Sequence, residues 1–348
     1  MKIIVATVQA PFLVGGAEYL AQNLIDALKK AGHEVELVGI PMMDNPIELL
    51  ENQIVATRLL EIERTWAGAS DLCIGLKFPA YYIKHSNKVI WALHQYRAAY
   101  DLWGSEFTDI HLQNEGERIK RVIHNADNLY LKEAKRIYTI AENVTTRMTK
   151  YNNINSTCLY HPCPDMEKFY CGEYDDYILM PSRINVTKRQ MLAVRALALT
   201  KSNINLYFVG KADNVIVSDE LKQFVNEQNL QDRVRFFDFV SQEEKFELYA
   251  NARAVMFIPY DEDYGYITLE GMSASKAVIT ATDSGGPTEF IENDKTGLVV
   301  SPDPADLARA IDDLASSELR ARELGTAAKR HITDMNITWD NVVRELTR

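Results

Sequence analysis

The sequence predicts an α/β protein built from two doubly wound parallel sheets. Apolar runs of strand length alternate with longer segments of helical period, and this order is typical of βαβ units. The alternation stops near residue 165 and then starts again. A length of 348 residues also exceeds what one ordinary hydrophobic core needs. We therefore expect two domains, each with its own sheet.

The first half consists of predicted strands and helices followed by a linker. KIIVATVQ predicts a first strand rather than a signal peptide, because it lacks a cleavage site and a long apolar core. Further strands are predicted at EVELVGI, DLCIGL, KVIWALH, RIYTIA and STCLYH, and helices at residues 17–30, 47–66 and 142–151. The following HPCPDMEKFYCGEYDD contains prolines, a glycine and acidic residues that interrupt helix and strand, so we expect the linker there.

The second half repeats the pattern. Strands are predicted at YILMPS, INLYFVG, VRFFDFV, AVMFIPY and AVITATD, and helices at residues 188–199, 219–228, 242–252 and 265–275. We set the domains at residues 1–165 and 166–334, with residues 335–348 as a closing helix. Two such sheets that face each other would leave a cleft between them.

The overall composition excludes several classes of protein. No window approaches the ~18 consecutive apolar residues of a membrane span, so we expect a cytoplasmic protein that is at most peripheral on the inner face of a membrane. A net charge of −11 argues against non-specific nucleic-acid binding. The four cysteines show no C-x-x-C spacing, and free thiols in a reducing compartment are expected.

Three loops of the second half follow predicted strands and carry candidate binding residues. Arg183 and Lys188 follow YILMPS, Glu262 and Glu270 follow AVMFIPY, and a Ser-Gly-Gly-Pro turn at residues 284–287 follows AVITATD. The carboxyl ends of parallel strands meet at one edge of the sheet, where doubly wound proteins bind nucleotides. Two cations beside a helix N-terminus suit a diphosphate.

The stretch EDYGYITLE offers carboxylates as well as backbone donors. A helix that begins near Gly265 has free N–H groups for phosphate or sugar oxygens. Glu270, about one and a half turns inside the helix, can accept both hydroxyls of a ribose, and Glu262 ahead of the helix can bind hydroxyls of a sugar beyond the phosphates. We expect Gly265 to leave room for the ligand. Asp283, ahead of the Gly-Gly turn, is expected to be a cap.

The combined motifs resemble the retaining GT-B glycosyltransferases of the glycosyl transferases group 1 family, also called family 4. The shared features are E-x7-E with a glycine three residues after the first glutamate, Arg-x4-Lys, a GG-P-x-E turn near Gly285, and a Gly-Gly loop at Gly15 and Gly16. The resemblance covers nearly the whole chain. It implies two Rossmann-like domains that face each other across a cleft, with a closing helix that crosses back to the first domain.

The resemblance also implies a nucleotide-diphosphate sugar donor bound mainly by the second domain. Arg183 and Lys188 would hold the diphosphate, Glu270 the ribose and Glu262 the donor sugar. The donor sugar and distal phosphate would also contact the backbone of Tyr264, Gly265, Tyr266, Ile267 and Thr268. The base would rest on the loop at Phe239 and Val240, while the first domain would contribute Gly16 over the phosphates and His94 near the transferred sugar.

The reaction implied is metal-independent transfer of a hexose with retention, and no cofactor is expected. In such enzymes the leaving diphosphate helps to deprotonate the acceptor hydroxyl, so stabilisation of its charge is the main task. Arg183, Lys188, Glu262 and His94 are the expected catalytic residues. Ser182 replaces the usual glycine before the arginine, and other glycines of the family pattern are missing, so base and sugar stay open, with UDP first and GDP second.

Other functions remain open from the sequence. A non-catalytic nucleotide-sugar-binding subunit would bind the donor without turnover, and a GT-B nucleotide-sugar epimerase would need acid and base residues beside the sugar. Asp261 and Asp263 form a D-x-D pattern that a GT-A enzyme would use to hold a divalent metal. The Gly-Gly loop is not G-x-G-x-x-G, which argues against a dehydrogenase. His94 could equally be a structural histidine.

Two further segments concern the acceptor, which we expect to be a glycan or a lipid-linked saccharide. Aromatic residues that could stack on sugar rings or pack in the core are concentrated in residues 91–107. Residues 118–136 contain six Lys or Arg, which could meet anionic lipid or form a solvated helix face. These cations are Arg118, Lys120, Arg121, Lys132, Lys135 and Arg136.

Overall fold

The computed structural model describes residues 1–9, 11–12 and 15–348. Internal contacts divide the chain into two compact units. Unit 1 comprises Met1–Pro164 together with Thr338–Arg348, and unit 2 comprises Asp165–Ile337. The boundary falls inside the segment where the sequence predicts a linker.

Each unit contains a parallel sheet whose strands are connected by helices. The strands of unit 1 are β1 (Lys2–Gln9), β2 (Glu34–Pro41), β3 (Arg64–Thr65), β4 (Gly68–Ala69), β5 (Leu72–Gly75), β6 (Lys88–Ala92), β7 (Arg136–Thr139) and β8 (Thr157–Cys158). Those of unit 2 are β9 (Tyr177–Met180), β10 (Asn205–Val209), β11 (Val234–Phe237), β12 (Ala254–Met256), β13 (Val278–Ala281) and β14 (Gly297–Val300).

Most of the helices lie between these strands along the chain, and the last three follow β14. They are α1 (Gly16–Lys30), α2 (Leu49–Leu59), α3 (Gly116–Tyr130), α4 (Glu142–Asn152), α5 (Gln190–Leu199), α6 (Val215–Glu227), α7 (Gln242–Asn251), α8 (Tyr266–Ser273), α9 (Pro304–Ser316), α10 (Glu318–Asp334) and α11 (Trp339–Thr347). Within the described residues, none of them combines the length and the apolar character that a membrane span needs.

The two main sheets have the doubly wound order that the sequence predicts. The strand order in unit 1 is β2-β1-β5-β6-β7-β8, and in unit 2 it is β11-β10-β9-β12-β13-β14. Neighbouring strands within each of these sheets pair in parallel. The prediction of two Rossmann-like parallel-sheet domains is therefore confirmed.

The central strands of unit 2 are covered on both faces, as parallel sheets normally are. All four residues of β9 are buried, and Ile178 and Met180 belong to a core that α5 contributes to through Val194 and Leu197. Burial of a side chain such as Leu197 stabilises the fold by about 1.5–3 kcal/mol. This rigid layer carries the loops that follow β9, β12 and β13.

The helix predicted at residues 47–66 is wrong over its last seven residues. α2 ends at Leu59, and residues 64–69 form the antiparallel hairpin of β3 and β4 with Trp66 exposed in its turn. Gly68 has a φ of +102°, which a glycine adopts readily. The Thr65 hydroxyl donates to the Gly68 carbonyl at 2.7 Å and accepts from the Ala67 N–H at 3.1 Å, so local turn bonds replace helical ones.

The closing helix α11 belongs to unit 1. Its Val342 and Leu346 are buried, and α11 packs against α1. The Trp339 ring lies 5.9 Å from the ring of His161, with a near-parallel orientation of 28°, and 6.3 Å from that of Trp91. Residues 335 to 337, which the sequence assigns to the same helix, precede it.

Candidate functional site

The three candidate loops of unit 2 meet at the carboxyl edge of its sheet, because β9, β12 and β13 are neighbours. The Tyr260 N–H donates to the Thr187 carbonyl at 2.8 Å, which joins the first loop to the second. The Glu262 N–H donates to the Ser284 carbonyl at 2.9 Å, and the Gly286 N–H donates to the Glu262 carbonyl at 2.8 Å. Backbone hydrogen bonds therefore hold the loops in one assembly.

Lys188 and Glu262, which the sequence assigns to the diphosphate and the sugar, form an ion pair with each other. The Lys188 ammonium donates directly to Glu262 Oε2, and their side chains are 16% and 29% exposed. The ammonium also lies 5.3 Å from the centre of the Phe257 ring. Lys188 ends a 3₁₀ turn, Val186–Lys188, in which the Asn185 side chain accepts from its backbone N–H at 3.0 Å. The Phe257 ring and the Asn185 side chain therefore help to fix the position of Lys188.

Arg183, the other predicted phosphate ligand, has a different partner. Its guanidinium donates to Asp213 at 3.0 Å, and its side chain is 71% exposed. The Asn185 amide donates to the second Asp213 oxygen at 2.9 Å. Asp213, which comes from the loop after β10, is thus a partner that sequence reasoning missed. Its place in the VGKADN segment at a strand end was the available signal.

Arg189 is a second residue that the sequence analysis did not identify. It precedes α5 with a φ of +59°, and its guanidinium makes two hydrogen bonds of 2.7 Å to the two carboxylate oxygens of Asp283. The same guanidinium lies 5.1 Å from the centre of the Tyr260 ring. Asp283, expected to be a cap, instead accepts this bidentate pair. The Lys-Arg doublet at the predicted helix start was the only signal for it.

Glu270, predicted to bind the ribose, already has two protein partners. The Lys245 ammonium donates to Oε1 at 2.6 Å, and the Tyr249 hydroxyl donates to Oε2. The Glu270 side chain is 8% exposed, while that of Lys245 is 28% exposed. The carboxylate therefore lies just beneath the surface, held by two residues of α7.

A glycine is needed at position 265 for a reason that differs from the expected one. Its φ is +87°, and a Cβ added there would lie 2.9 Å from Pro287 Cγ and 3.0 Å from Phe257 Cε1. The expectation that its missing side chain leaves room for a ligand is therefore wrong, because protein atoms occupy that space. Gly265 is needed for its backbone conformation and for close packing of the Gly-Gly turn.

The residues around Gly265 form the start of α8. The Thr268 N–H, predicted to face the donor, donates to the Gly265 carbonyl at 3.1 Å. The Tyr264 ring packs edge-on against Tyr266 at 5.7 Å. Tyr266 and Ile267 occupy the first two positions of α8, at the end of the helix that carries partial positive charge. Thr268 is fully buried.

The Gly-Gly turn packs against the loop that carries Glu262. A Cβ on Gly286 would lie 2.6 Å from the Asp263 carbonyl oxygen, so only glycine allows this approach. Gly285 has a φ of +71° and precedes the 3₁₀ turn Gly286–Glu289. These glycines thus position the loop of Glu262.

The predicted base-binding residues Phe239 and Val240 lie in the loop before α7. Phe239 is almost fully exposed, and Val240 is half-buried. The Ser241 side chain accepts from the Glu244 N–H at 3.1 Å, and Glu244 accepts from the Ser241 N–H at 2.8 Å. This capping box fixes the start of α7 directly after the loop.

The two candidate residues of unit 1 lie at the ends of different strands. Gly16 begins α1, and the Gly15 N–H donates to the Glu18 side chain at 2.9 Å. Ala10, Leu13 and Val14 of the same loop lie outside the described residues. His94 follows β6 and is half-buried, and its Nδ1 donates to the Gln95 carbonyl at 2.5 Å.

The aromatic segment of unit 1 is largely core. Trp91 and Tyr100 are buried, and the Trp91 indole N–H donates to the Leu159 carbonyl at 3.2 Å. Tyr96 donates to Asp44 at 3.1 Å. Trp103 is half-buried and packs beneath the Lys120 ammonium, 4.0 Å from its ring centre. Few of these rings are thus exposed enough to stack on a sugar.

Several of the cations at residues 118–136 have partners inside unit 1. Arg118 pairs with Glu51 at 2.6 Å and with Glu115 at 2.5 Å. Arg136 belongs to β7 and donates to the backbone of α11. The six cations therefore do not form one continuous face of α3.

Unit 1 also contains a buried carboxylate that the sequence analysis did not single out. Asp127 on α3 is fully buried and accepts hydroxyl hydrogen bonds from Tyr82 and Tyr100, each at 2.7 Å, and from Tyr81 at 3.3 Å. Burial raises the pKa of Asp127 from 3.8 to about 6, although the tyrosine hydrogen bonds oppose this rise. Burial also raises the pKa of Tyr82 far above its usual value.

The D-x-D alternative predicted metal ligands at Asp261 and Asp263. Across residues 1–9, 11–12 and 15–348, no three histidine, cysteine, aspartate or glutamate side chains lie together as metal ligands would. The Asp261 N–H donates to the Asp283 carbonyl at 2.9 Å, which joins this segment to the strand end that precedes the Gly-Gly turn at residues 284–287.

Comparison with known proteins identifies a family and several relatives. Residues 166–331 match the family model described as Glycosyl transferases group 1. The chain is 33% identical over 128 residues to an alpha-1,3/1,6-mannosyltransferase, ALG2, of Dictyostelium discoideum, and this alignment covers 37% of the chain and 30% of the relative. The chain thus spans less than a third of the length of that relative.

Solved structures share the fold over both units. The sucrose-phosphate synthase of Thermosynechococcus elongatus matches with a TM-score of 0.78 at 17% identity, covering 99% of this chain and 97% of that one. The Anabaena protein HepE, solved with UDP and glucose, matches with a TM-score of 0.72 at 17% identity, covering 100% and 98%. The fold is thus of the GT-B type, and residues 166–331, which carry the site described above, belong to the glycosyl transferases group 1 family.

Proposed function

We propose that the protein is a glycosyltransferase that moves a sugar from a nucleotide-diphosphate sugar to a hydroxyl acceptor. The observation that carries this proposal is the direct contact of Lys188 with Glu262 at the carboxyl edge of the unit 2 sheet. A cation for the diphosphate and a carboxylate for the sugar stand side by side there. Membership of residues 166–331 in the group 1 family and the similarity to a mannosyltransferase support the same function.

Donor binding would exchange one partner of Lys188 for another. In the protein alone its ammonium bonds Glu262, and with a donor bound it would bond a phosphate oxygen. The start of α8, with the N–H groups of Tyr266 and Ile267, would add partial positive charge to the same place. Glu262, released from the ion pair, would then accept hydrogen bonds from hydroxyls of the donor sugar.

Arg183 would complete the diphosphate site by moving from Asp213 to the phosphates. Its side chain is mostly exposed, so rotation costs little packing. Arg189 is a less suitable ligand, because its bidentate pair with Asp283 already uses the N–H donors with which a guanidinium binds phosphates. Lys188 therefore carries the larger share of diphosphate binding.

The proposed reaction retains the anomeric configuration and needs no metal ion or other cofactor. Stabilisation of the leaving diphosphate by Lys188 and Arg183 would supply the main catalytic effect. The departing phosphate would take the proton of the acceptor hydroxyl. His94, at the end of β6, is the proposed contribution of unit 1 near the transferred sugar.

The donor base and the acceptor are part of the proposal. UDP is the first candidate and GDP the second, and the mannosyltransferase relative suggests mannose among the sugars to test. The acceptor would be a glycan or a lipid-linked saccharide. Contact with an anionic membrane would use those cations of residues 118–136 that remain exposed, such as Arg121 and Lys132.

A thermal-shift screen tests donor binding first. UDP, GDP, ADP and dTDP, each with its sugars, are added with and without EDTA, because a ligand at ~100 times its Kd adds about 2.7 kcal/mol of stability. Stabilisation by one nucleotide that is indifferent to EDTA is expected. Loss of stabilisation with EDTA would contradict metal independence, and no response to any nucleotide would contradict the proposed function.

Variants then test the site and the chemistry. Lys188→Ala should abolish the shift, while Lys329→Ala, at an exposed position of α10, should leave it unchanged. Transfer is followed by release of nucleoside diphosphate with saccharide acceptors, and the anomer of the product is read by NMR. Binding without release would indicate a non-catalytic subunit, and an inverted product would contradict retention.

A further inference from the structure

The carboxylate of Glu270 is held by two residues on one face of α7. Lys245 donates to Oε1 at 2.6 Å and Tyr249 donates to Oε2, so the two oxygens accept from two different side chains of α7. Lys245 and Tyr249 are four residues apart, which places them one above the other on the helix. Glu270 itself lies in the middle of α8. Two helices thus share one buried carboxylate.

This arrangement fixes the plane of the carboxylate. The last torsion of a glutamate side chain is normally broad, so a carboxylate with one partner can rotate. Two donors from different side chains, one on each oxygen, remove that freedom. An ionised carboxylate can accept about four hydrogen bonds, and each Glu270 oxygen therefore keeps a lone pair for a further donor.

Lys245 is itself held by an aromatic group. Its ammonium lies 5.5 Å from the ring centre of Phe169 and 5.9 Å from that of Tyr249. The Phe169 ring packs edge-on against Tyr249 at 5.1 Å, and both residues are buried. The lysine is thus flanked by two rings that cannot move independently, which limits the positions its ammonium can take.

The position of Lys245 relates it to the predicted base site. It lies in the first turns of α7, directly after the loop of Phe239 and Val240. The capping box of Ser241 and Glu244 fixes the helix start between them. A nucleoside whose base rests on that loop would have its ribose near the same end of α7.

We infer that Lys245 and Tyr249 are positioning residues that orient Glu270 to bind the 2′- and 3′-hydroxyls of a ribonucleoside diphosphate. The site then selects ribonucleotides over 2′-deoxyribonucleotides. This inference rests on the proposed function, because it requires unit 2 to bind a nucleotide. It assigns to Lys245 a role in donor selection in addition to a contact between two helices.

A merely structural contact would behave differently in one measurable respect. If Lys245 only joins α7 to α8, its loss weakens ribonucleotide and deoxyribonucleotide binding alike. If it orients Glu270, its loss weakens the ribonucleotide, which offers both hydroxyls, more than the deoxynucleotide, which offers only the 3′-hydroxyl. The ratio of the two affinities therefore separates the roles.

The experiment measures the dissociation constants of UDP, GDP and their 2′-deoxy counterparts by calorimetry. The wild type should prefer the ribonucleotide by about tenfold or more, since a hydrogen bond to a charged group is lost in the deoxy ligand. Lys245→Met keeps the apolar stem and removes the ammonium. It should reduce the preference to about threefold or less, because the ribonucleotide loses more affinity than the deoxynucleotide.

Further variants keep the inference testable. Tyr249→Phe retains the ring and should reduce the preference in the same way, and Lys245→Arg should restore most of it. Glu270→Gln should remove it. Lys329→Met on α10 is the matched control and should keep the wild-type ratio. Thermal unfolding of each variant reports whether the fold is intact.

Each result has one meaning. An unchanged ribo-to-deoxy ratio in Lys245→Met and Tyr249→Phe, or an equal loss for both ligands, overturns the inference and leaves the proposed function intact. A wild type that binds ribo- and deoxynucleotide equally also overturns it. A wild type that binds no nucleotide removes the proposed function, and the inference falls with it.

Discussion

Replacement of Glu262 by glutamine should strengthen binding of a nucleoside diphosphate that carries no sugar. In the protein alone the Lys188 ammonium is bonded to Glu262. A diphosphate must therefore displace Glu262 before it can bind that ammonium. Glutamine has nearly the same shape but holds the ammonium much less strongly. The free Lys188 would then be available to the phosphates.

The size of the effect follows from the exposure of the ion pair. Fully exposed pairs contribute about 0–1 kcal/mol, and hydrogen bonds to charged groups contribute about 1.5–3 kcal/mol. With side chains 16% and 29% exposed, this pair lies between these cases, so we expect about 1–2 kcal/mol. That corresponds to about a 5- to 30-fold lower Kd.

Calorimetry with UDP and GDP, with and without an attached sugar, measures this effect. Glu262→Gln should bind the bare diphosphate more tightly and lose the additional affinity that the sugar provides. Glu323→Gln, at an exposed position of α10, serves as the control. Wild-type or weaker binding of the bare diphosphate by Glu262→Gln would refute the idea that Glu262 competes with the ligand for Lys188.

Three further substitutions test other parts of the structure by chemical unfolding. Gly265→Ala should destabilise unit 2 by about 2–4 kcal/mol, because φ is +87° and the new Cβ would meet Pro287 at 2.9 Å. Trp339→Ala should destabilise unit 1 by about 2 kcal/mol, because α11 would lose its contact with His161. Asp127→Asn should remove a pH dependence. Because the pKa of Asp127 is raised from 3.8 to about 6, the wild type loses stability as the pH rises across that range, by about 3 kcal/mol.

The outcomes that would contradict these expectations are specific. Gly265→Ala with wild-type stability would mean that the turn relaxes around a side chain. Trp339→Ala that affects only unit 2 would contradict the assignment of α11 to unit 1. As the pH rises, the wild type should lose unfolding free energy that Asp127→Asn does not lose. The variant should therefore become more stable relative to the wild type. An equal difference at both ends of the range would contradict a raised pKa.

The sequence predicts where the candidate residues lie better than what they contact. Strand-length apolar runs located the loops after β9, β12 and β13, and the charged residues in those loops followed directly. The ion pair of Lys188 with Glu262 joins positions 74 residues apart, and that of Arg189 with Asp283 joins positions 94 residues apart. Local periodicity contains no information about such pairs, because they depend on how the loops fold over the sheet edge.

Residues without an obvious motif were missed for a related reason. Lys245 lies on a helix whose pattern reads as an ordinary amphipathic surface, and only the arrangement of α7 beside α8 brings it to Glu270. The sequence predicts a helix where the hairpin with Trp66 lies, since LEIERTW has good helix formers and the helix-breaking residue, Gly68, comes after it. Gly265 was given a ligand-based role because the Pro287 contact is not visible from sequence.

The return of α11 to unit 1 has a consequence for the order in which the chain folds during synthesis. Residues 338–348 belong to unit 1 but follow all of unit 2 along the chain. Unit 2 is continuous and can fold as soon as it leaves the ribosome. Unit 1 is synthesised first but is incomplete until α11 emerges. Until then the surface around Trp91 and Tyr138 stays uncovered. A fragment that ends at Pro164 would lack α11 and leave that surface uncovered, whereas a fragment of unit 2 alone would contain every strand and helix of its unit.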